Sequence, residues 1–579
     1  MRIILLTMTI ILVALSPIFA QTLDDYILET KGDTLVLKDF IDLGEPSTLN
    51  QVFALDDAPP AGRVYELKVN GYYPMATNPQ TPARPVTIVG AVNEPLVKAP
   101  AETALPIICG YTESGGGLTF SDDLTVKNCA AYMRAPDGTL GWAFFGPGTE
   151  GKTLTLENCL MEHDRWVFIQ SNSYSGTKVH LNDCYFVNMT GEPCRRNGGV
   201  YDNVEHNTAE IVVENCTHVM AQGMTYKFRN YPVGKLWFNH NTFINIGNNV
   251  FEGQGYISNW VVTNNIFVNC NVQPYMSGLD YGETDADYLP TGIINVNVLP
   301  DSLEQLERKV FVDKNVVAWS SELSDVVSQV SAAGTNGTSE WFSQMITMNT
   351  RTKTMFDDDT NYPYLYEGTW YEQMPNFTDT KDLFTDQLAN FEEMCIATVD
   401  TNGTALLPVW RLIYTGAEDH VYSDWPIPID LSYSDANLIA GGVGGFPVGD
   451  LNWFPAQKAT WAAQKDAEHA EIEAALDAGG WTAVSSKPDV VPTDFAISQN
   501  YPNPFNPITT INFSLEKAGH VTLKVYDVIG REVATLVNGY KEAKGHKVEF
   551  NASELASGTY IYTIQVGDQK ISRKMVLMK

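Results

Sequence analysis

The sequence predicts an all-β protein in which a right-handed, single-stranded parallel β-helix is followed by a small immunoglobulin-like β-sandwich. Two features predict this: a short pattern that returns between residues 124 and 315, and a run of short alternating strands after residue 493. At 579 residues the chain exceeds one ordinary globular domain, whereas a solenoid can extend because each repeat contacts only its neighbours. Charged residues make up only 18% of the chain, which fits a β-rich extracellular protein.

The repeated pattern is a short apolar strand that ends in a polar corner. Its first copy reads Leu-Thr-Val-Lys-Asn-Cys from Leu124 to Cys129. Related copies end at Cys159, Cys184, Cys216, Asn241, Asn265 and Asn315. The steps between these ends are 30, 25, 32, 25, 24 and 50 residues. This spacing indicates coils of about 25 residues that sometimes carry insertions.

Stacked coils require the same side chain to point inward in every copy. Equivalent strands of a parallel β-helix lie about 4.8 Å apart, and alternate side chains face the interior. The predicted inward apolar ladder consists of Val126, Leu156, Leu181, Val213, Phe238 and Val262. Asn at the corner tolerates a left-handed backbone, and stacked Asn side chains can hydrogen-bond from coil to coil. Leucine-rich repeats need more leucines than these copies have, and propeller blades need about 40 residues each.

The eight cysteines allow two interpretations. An even number of cysteines in an exported chain is typical of disulfides. However, four of them share one repeat position, and residues that point the same way up a stack fit disulfide geometry poorly. We therefore predict a buried ladder of small apolar groups formed by Cys129, Cys159, Cys184 and Cys216.

The segment before the repeats is predicted to begin the solenoid. A helix is expected over 47–54, starting at a capping Ser47, and an alternating strand over 64–69 precedes the turn Asn70-Gly71. A β-branched strand follows at 85–91. Together with the repeats, these elements resemble the entry of right-handed parallel β-helices of the pectate-lyase-like superfamily. That resemblance implies exposed strand stacks of the kind that bind or cleave acidic polysaccharides.

Residues 493–579 carry the most specific motif of the chain. Phe495-Ala-Ile-Ser-Gln-Asn-Tyr-Pro-Asn-Pro-Phe-Asn-Pro507 precedes short alternating strands broken by Gly, Pro and Asn, which predicts a small β-sandwich. With Val521-Thr-Leu-Lys-Val-Tyr-Asp-Val-Ile-Gly-Arg-Glu-Val533, these residues closely resemble the type A C-terminal sorting domain of the type IX secretion system of Bacteroidetes and related Gram-negative bacteria. The resemblance implies that an outer-membrane translocon reads the domain as an address. The domain is often removed afterwards, and the cargo is released or attached to the cell surface.

The N-terminus and the charge also point to export. Residues 1–20 have the pattern of a secretory signal, with Arg2 before an apolar core that is shorter than the ~20 residues of a membrane anchor. A formal net charge of −32 disfavours nucleic acid and anionic membrane surfaces as partners. We expect a secreted or cell-surface monomer without a transmembrane anchor, exported through the outer membrane of a Gram-negative bacterium.

The predicted organisation has five parts. They are a signal peptide at 1–20, a β-helix with an N-terminal cap at 21–319, a C-terminal cap with loops at 320–482, a linker at 483–492 and the sandwich at 493–579.

A second stack of residues is predicted about eleven positions after the repeat ends. If 190–197 is an insertion, this stack contains Gln170, Asp202, Lys227 and Glu252 and faces solvent. Its inward neighbours are expected to be Phe168 or Ile169, Tyr201, Tyr226 and Phe251. Side chains expected to overhang the same groove from loops are His163, Arg195, Arg196, Tyr226 and Arg229. The stack is the candidate polysaccharide-binding site of the chain.

The residue types of this stack allow several chemistries. A β-elimination lyase neutralises a uronate carboxylate and removes the C5 proton, for which Lys227 and Arg229 would supply base and clamp. Asp202 and Glu252 would hold Ca²⁺ through hard oxygens, or would act as acid and base in a hydrolase. The competing interpretation is an ordinary surface ion-pair ladder.

These observations lead to two hypotheses about function. The first is a β-helix that binds an extracellular polysaccharide and cleaves it as a lyase if the second stack is catalytic. The second is a non-catalytic glycan-binding, adhesin or surface-structural protein.

Overall fold

The structure of the protein is a computed structural model. It describes residues 21–91, 105–111, 115–135, 137–189, 191, 197–252, 255–271, 291–300, 303, 305–333, 346–400, 427–481, 495–497, 500, 503, 505–515, 517–541, 545–567 and 569–579. The predicted signal peptide and the whole of the predicted linker lie outside these residues.

The chain forms two compact units. The first unit runs to Ser432 and includes Gly449–Pro455, and the second consists of Tyr433–Val448 and Ala456–Lys579. Three long sheets build the first unit, and two small antiparallel sheets lie in the second.

Sheet 1 is the longest of the three and contains the repeated pattern. In spatial order its strands are β1 (Ile27–Lys31), β2 (Thr34–Leu37), β3 (Val64–Leu67), β5 (Val86–Gly90), β8 (Leu124–Lys127), β11 (Thr153–Glu157), β14 (Thr177–Asn182), β17 (Thr208–Glu214), β20 (Pro232–Asn239), β23 (Tyr256–Thr263), β25 (Lys309–Asp313) and β27 (Leu365–Glu367). Only the first pair is antiparallel; the pairs that follow are parallel.

Sheet 2 follows each corner of sheet 1. Its strands are β4 (Tyr72–Met75), β6 (Ile107–Gly110), β9 (Ala130–Tyr132), β12 (Leu160–Glu162), β15 (Tyr185–Met189), β18 (Thr217–Ala221), β21 (Thr242–Ile246), β24 (Ile266–Cys270), β26 (Asn315–Ala318) and β28 (Trp370–Tyr371). Sheet 3 completes the coils with two- and three-residue strands: β7 (Leu118–Phe120), β10 (Phe145–Pro147), β13 (Ile169–Gln170), β16 (Tyr201–Asp202), β19 (Tyr226–Lys227) and β22 (Phe251–Glu252). This is a parallel β-helix, as predicted.

The corner between sheets 1 and 2 is a single left-handed residue in each coil. The φ angles lie between 51° and 58° at Asn128, Asn158, Asp183, Asn215, His240, Asn264 and Lys314. Most of these are Asn or Asp, which adopt the left-handed region at lower cost than other side chains. The predicted corner is therefore confirmed, and it lies one residue before the end of each repeat.

The inward ladder of sheet 1 is confirmed by the register. Val126 pairs with Leu156, and the same row continues through Leu181, Val213, Phe238 and Val262. All of these side chains are buried. They form one continuous apolar row along the coils.

The residue after the corner forms a second ladder, which changes chemistry along its length. The described cysteines at this position are free and buried, as predicted: Cys129, Cys159, Cys184 and Cys216. Further along, the Asn241 amide donates to Asn265 Oδ1 at 2.9 Å, and the Asn265 amide donates to Asn315 Oδ1 at 3.0 Å. The expected coil-to-coil Asn hydrogen bonds are thus confirmed.

Short helices accompany the first unit. They are α1 (Phe40–Leu43), α2 (Thr48–Leu55), α3 (Ser321–Ala333), α4 (Thr350–Phe356) and α5 (Asp386–Asp400), and a two-stranded sheet joins β29 (Phe377–Asp379) and β30 (Asp430–Tyr433). The predicted helix near 47–54 is present, but Ser47 makes no side-chain cap. Its hydroxyl instead accepts a hydrogen bond from Ala76 N.

A short segment, Gly449–Pro455, lies across the outer face of sheet 2. The Thr217 hydroxyl donates to Asp450 Oδ2 at 2.6 Å, and Asp450 N donates to Thr242 Oγ1 at 3.0 Å. Trp453 Nε1 donates to Thr217 Oγ1 at 3.0 Å. These contacts join residues more than 200 positions apart and cover two adjacent coils.

The second unit contains three helices and the predicted sandwich. The helices are α6 (Ala436–Ile439), α7 (Pro455–Ala462) and α8 (Lys465–Ala478). One sheet consists of β31 (Ala496–Ile497), β32 (Ile508–Ser514) and β35 (Gly545–Asn551). The other consists of β34 (Glu532–Lys541), β33 (Gly519–Asp527), β36 (Gly558–Val566) and β37 (Gln569–Leu577). Among the described residues no helix has the length and apolar character needed to cross a bilayer.

The interior of sheet 2 holds a stack of aromatic rings that includes a histidine. His218 lies 4.8 Å from the Phe186 ring and 4.3 Å from the Phe243 ring, and both pairs are nearly parallel. Its Nε2 is 2.9 Å from the Tyr226 hydroxyl. Burial lowers the pKa of His218 to about 3, because the imidazolium would lose its hydration inside the coils.

We predict that this histidine makes the β-helix sensitive to acid. Above pH 6.5 the imidazole is neutral in both states, whereas between pH 6.5 and about 3 only the unfolded chain binds the proton. Stability should therefore fall as the pH falls through this window, by on the order of 5 kcal/mol in total. Melting temperatures of the full chain measured from pH 7 to pH 3.5 provide the test.

The matched comparison is the double variant His218→Phe with Tyr226→Phe, which removes both partners of the hydrogen bond. Its melting temperature should fall less between pH 6.5 and pH 3.5 than that of the unaltered chain. Tyr226→Phe alone should retain the full acid sensitivity. Equal pH slopes for all three chains would contradict the assignment.

Candidate functional site

Sheet 3 places the four residues of the second stack next to one another. Gln170 pairs with Asp202, Asp202 with Lys227, and Lys227 with Glu252. The register also places their neighbours Ile169, Tyr201, Tyr226 and Phe251 in one adjacent row. We call Gln170, Asp202, Lys227 and Glu252 the charged row.

The charged row is buried, and the expectation that it faces solvent is wrong. Asp202 and Lys227 are 0% exposed and Glu252 is 3% exposed, while Gln170 is half-buried. An ordinary surface ion-pair ladder is equally inconsistent with this burial. Charges at such depth cost free energy unless they are paired and hydrogen-bonded, so their partners decide what the row can do.

Asp202 is the best-satisfied member of the row. Arg229 donates to Asp202 from Nε at 2.9 Å and from Nη2 at 2.5 Å, which is a bidentate ion pair. Trp166 Nε1 donates to Oδ2 at 3.1 Å, and Val204 N donates to Oδ1 at 3.0 Å. Both carboxylate oxygens are thus occupied by protein donors.

This occupancy bears on the predicted Ca²⁺ site. Asp202 has no oxygen left for a metal, and the described residues contain no group of three or more metal-binding side chains. We therefore assign Asp202 to the ion pair with Arg229 rather than to a Ca²⁺ site with Glu252.

Lys227 lies between two carboxylates in the row. Within the described part of the chain its Nζ makes no hydrogen bond. Burial lowers the pKa of Lys227, and the neighbouring Asp202 and Glu252 oppose that shift. A lysine in this state loses its proton more readily than an exposed one, which is the property that a general base requires.

Arg229 connects the charged row to the surface. It follows β19 directly, and its side chain is 29% exposed. Its backbone N donates to Asn203 Oδ1 at 2.9 Å, so the adjacent coil holds the residue in place. Arg229 therefore presents a fixed guanidinium edge beside the buried row.

The remaining predicted site residues do not share one location. Tyr226 was expected both as an inward neighbour of the row and over the groove. The inward position is confirmed and the position over the groove is wrong, because Tyr226 is a strand residue whose buried hydroxyl lies against His218. His163 is buried at a left-handed position, with Nε2 3.5 Å from Glu162 Oε1. Arg195 and Arg196 lie outside the described residues.

Sequence reasoning missed the residues of the corner that leads into sheet 3. The Trp142 side chain is 54% exposed, and the Arg165 guanidinium carbon lies 4.1 Å from the centre of its ring. Val167 N donates to Trp142 O at 3.3 Å, which links the two coils. The sequence places a Trp at this corner in two consecutive coils, Trp142 and Trp166. The repeat pattern alone does not assign a function to these positions.

Trp166 joins this corner to the charged row. Its indole donates to Asp202, which also binds Arg229, so the Trp166 indole and the Arg229 guanidinium meet at one carboxylate. The surface formed by Trp142, Arg165, Trp166, Arg229 and Gln170 is called the corner face below. It combines an exposed aromatic ring with two cationic side chains in a chain whose net charge is −32.

The stacked coils and the C-terminal sandwich define a β-solenoid protein with an appended sandwich domain. Residues 499–578 match the family described as "Secretion system C-terminal sorting domain". The sorting domain directs the protein through the outer membrane by type IX secretion, to the cell surface or the medium. The chain therefore interacts with the secretion system through this domain.

Comparisons with curated sequences and with solved structures do not identify a relative of the coils. A search of curated protein sequences gives no match. Among solved structures, one match is PorZ, an essential bacterial surface component of the type-IX secretion system of Porphyromonas gingivalis. The identity is 19%, the match covers 17% of this chain and 13% of that chain, and the TM-score is 0.11. A likeness of this size supports no inference about shared fold or function.

We predict that the two central charges of the row affect stability in opposite ways. Asp202→Asn removes the partner of Arg229 and leaves the Lys227 charge buried with less compensation, which should cost about 3 kcal/mol. Lys227→Met replaces an ammonium that lacks a hydrogen bond with an apolar group of similar length. It should leave the melting temperature unchanged or raise it.

Thermal unfolding of the full chain at pH 7.5 distinguishes the two variants. A Lys227→Met chain that melts as early as Asp202→Asn would show that the ammonium is a necessary part of the network and would refute this account.

Proposed function

We propose that the protein is an extracellular polysaccharide-binding β-helix that contacts its glycan at the corner face. The observation that carries this proposal is the exposed Trp142 ring held by Arg165, next in sequence to Trp166, whose indole shares the Asp202 carboxylate with Arg229. Flat aromatic rings give apolar contact area for the C–H faces of sugar rings at low entropic cost. Guanidinium groups bind the hydroxyl and carboxylate oxygens that project from the same rings.

The arrangement favours binding because its parts are fixed before a ligand arrives. Arg165 stacks on Trp142, Asn203 holds the backbone of Arg229, and Asp202 holds its guanidinium. A preorganised surface loses less conformational entropy on association than a mobile one. Export to the cell surface brings this surface into contact with extracellular glycans.

We predict that Trp142→Ala weakens glycan binding about tenfold, because it removes the aromatic contact area without altering the buried row. Isothermal titration of the full chain with alginate, pectate and glycosaminoglycan fragments measures the effect. Tyr540→Ala is the control, since Tyr540 is 71% exposed in the sandwich and far from the coils in sequence. An unchanged affinity for Trp142→Ala, or an equal loss for Tyr540→Ala, would refute the proposed surface.

Lyase activity is a second candidate, favoured by the lowered pKa of Lys227. This mechanism requires the Lys227 amine, which is buried in the described structure, to become accessible to a bound uronate, whose C5 proton it then takes. The electron pair left at C5 forms the C4–C5 double bond, the C4–O bond breaks, and the departing glycosidic oxygen takes a proton from solvent. Arg229 neutralises the uronate carboxylate, which stabilises the carbanionic character that develops at C5.

The prediction for this candidate is a rise in ultraviolet absorbance from the unsaturated product when the full chain meets an acidic polysaccharide. Lys227→Met should abolish the rise while leaving glycan affinity within about twofold, because the base acts in the transition state. Parallel reactions with added Ca²⁺ and with a chelator test whether a metal takes part. Binding without any absorbance change in the unaltered chain would reject the lyase and retain the binding function.

A further inference from the structure

The sorting domain presents two adjacent apolar side chains at the tip of one hairpin. β33 ends at Asp527 and β34 begins at Glu532, so the tip consists of residues 528–531. Val528 is 69% exposed and Ile529 is 72% exposed. These are the two highest exposures among the Val, Leu and Ile side chains that the structure describes in this domain.

The tip is held rigidly by one carboxylate. Asp527 Oδ1 accepts from Ile529 N at 3.0 Å and from Arg531 N at 2.9 Å, and Oδ2 accepts from Arg531 Nε at 2.7 Å. Gly530 N donates to Asp527 O at 3.0 Å, and Gly530 has a φ of 84°, where glycine is favoured. The side chains of Val528 and Ile529 are therefore displayed on a fixed backbone.

The turn itself does not require apolar side chains at these positions. Hairpin tips favour Gly, Asn, Asp and Ser, because these residues adopt turn backbones and interact with water. Here Asp527 and Gly530 already satisfy the needs of the turn, and neither Val528 nor Ile529 belongs to the buried core of the sandwich. A rigid pair of apolar side chains in water is typical of an anchor that fills a pocket on a partner.

Arg531 adds a charge to the same tip. Its side chain is 76% exposed, and only Nε is engaged by Asp527. The tip therefore combines an apolar pair with guanidinium N–H groups that face solvent. A complementary surface would offer an apolar pocket with an acidic group at its rim.

The geometry points to the tip Val528-Ile529-Gly530-Arg531 as the surface by which the secretion machinery recognises this sorting domain. The family match establishes that the domain is read by a secretion system, and an address needs an exposed, rigid feature to be read. The tip is such a feature, because its two apolar side chains are exposed on a backbone fixed by Asp527. This inference concerns export alone and does not depend on the polysaccharide proposal.

The test is export of the full chain in a Gram-negative bacterium that has a type IX secretion system. V528S with I529S should lower the exported fraction at least tenfold, with the chain retained in the periplasm, as measured by quantitative immunoblotting of periplasm, cell surface and medium. The matched control is Y540S, which changes an equally exposed side chain near the other end of the same hairpin. Export of the double variant at the unaltered level, or an equal loss for Y540S, would overturn the inference.

A second measurement covers the case in which the double variant folds poorly. A photoreactive amino acid at position 529 should crosslink the full chain to an outer-membrane component of the secretion system, whereas the same group at position 540 should not. Both side chains are largely exposed, so the substitutions leave the core intact. A crosslink from position 540 without one from position 529 would refute the assignment of the tip.

Discussion

The structure depends on one repeated backbone geometry, the left-handed residue that turns each strand of sheet 1 into a strand of sheet 2. Because every coil turns at the same place, the next residue stacks directly on its equivalent in the coil before it. Cys129 to Cys216 use this position for small apolar groups, and Asn241, Asn265 and Asn315 use it for a continuous hydrogen-bonded row. A one-residue slip would exchange inward and outward side chains along the whole sheet.

This register also lets a narrow interior contain polar groups. The His218 ring replaces a phenylalanine in a row of stacked rings, and its Nε2 lies 2.9 Å from the Tyr226 hydroxyl. The Asn residues that follow the corners bind backbone groups of the neighbouring coil. Asn241, for example, donates to Val213 O as well as to Asn265. The partners of Asn241 and Asn265 lie one coil away, so the stacking fixes these hydrogen bonds.

The C-terminal sandwich and the coils have different roles. The sandwich determines where the protein goes, and its recognition surface is separate from its core. In the function we propose, the coils provide the surface that contacts a glycan, and this surface is the corner face rather than the charged row. Asp202 is buried and forms an ion pair with the partly exposed Arg229. This ion pair fixes the position of the Arg229 guanidinium in the corner face.

The sequence by itself determined the fold, because spacing, strand alternation and corner residues all repeat from coil to coil. It also determined that Gln170, Asp202, Lys227 and Glu252 share a row. Once 190–197 is treated as an insertion, all four residues lie at the same distance in sequence from the end of their repeat, which implies a shared position. Only the tertiary structure decided that this row is buried. Exposure depends on what covers a strand, and Trp166 and Arg229 meet Asp202 from other coils. A repeat period contains no information about such contacts between coils.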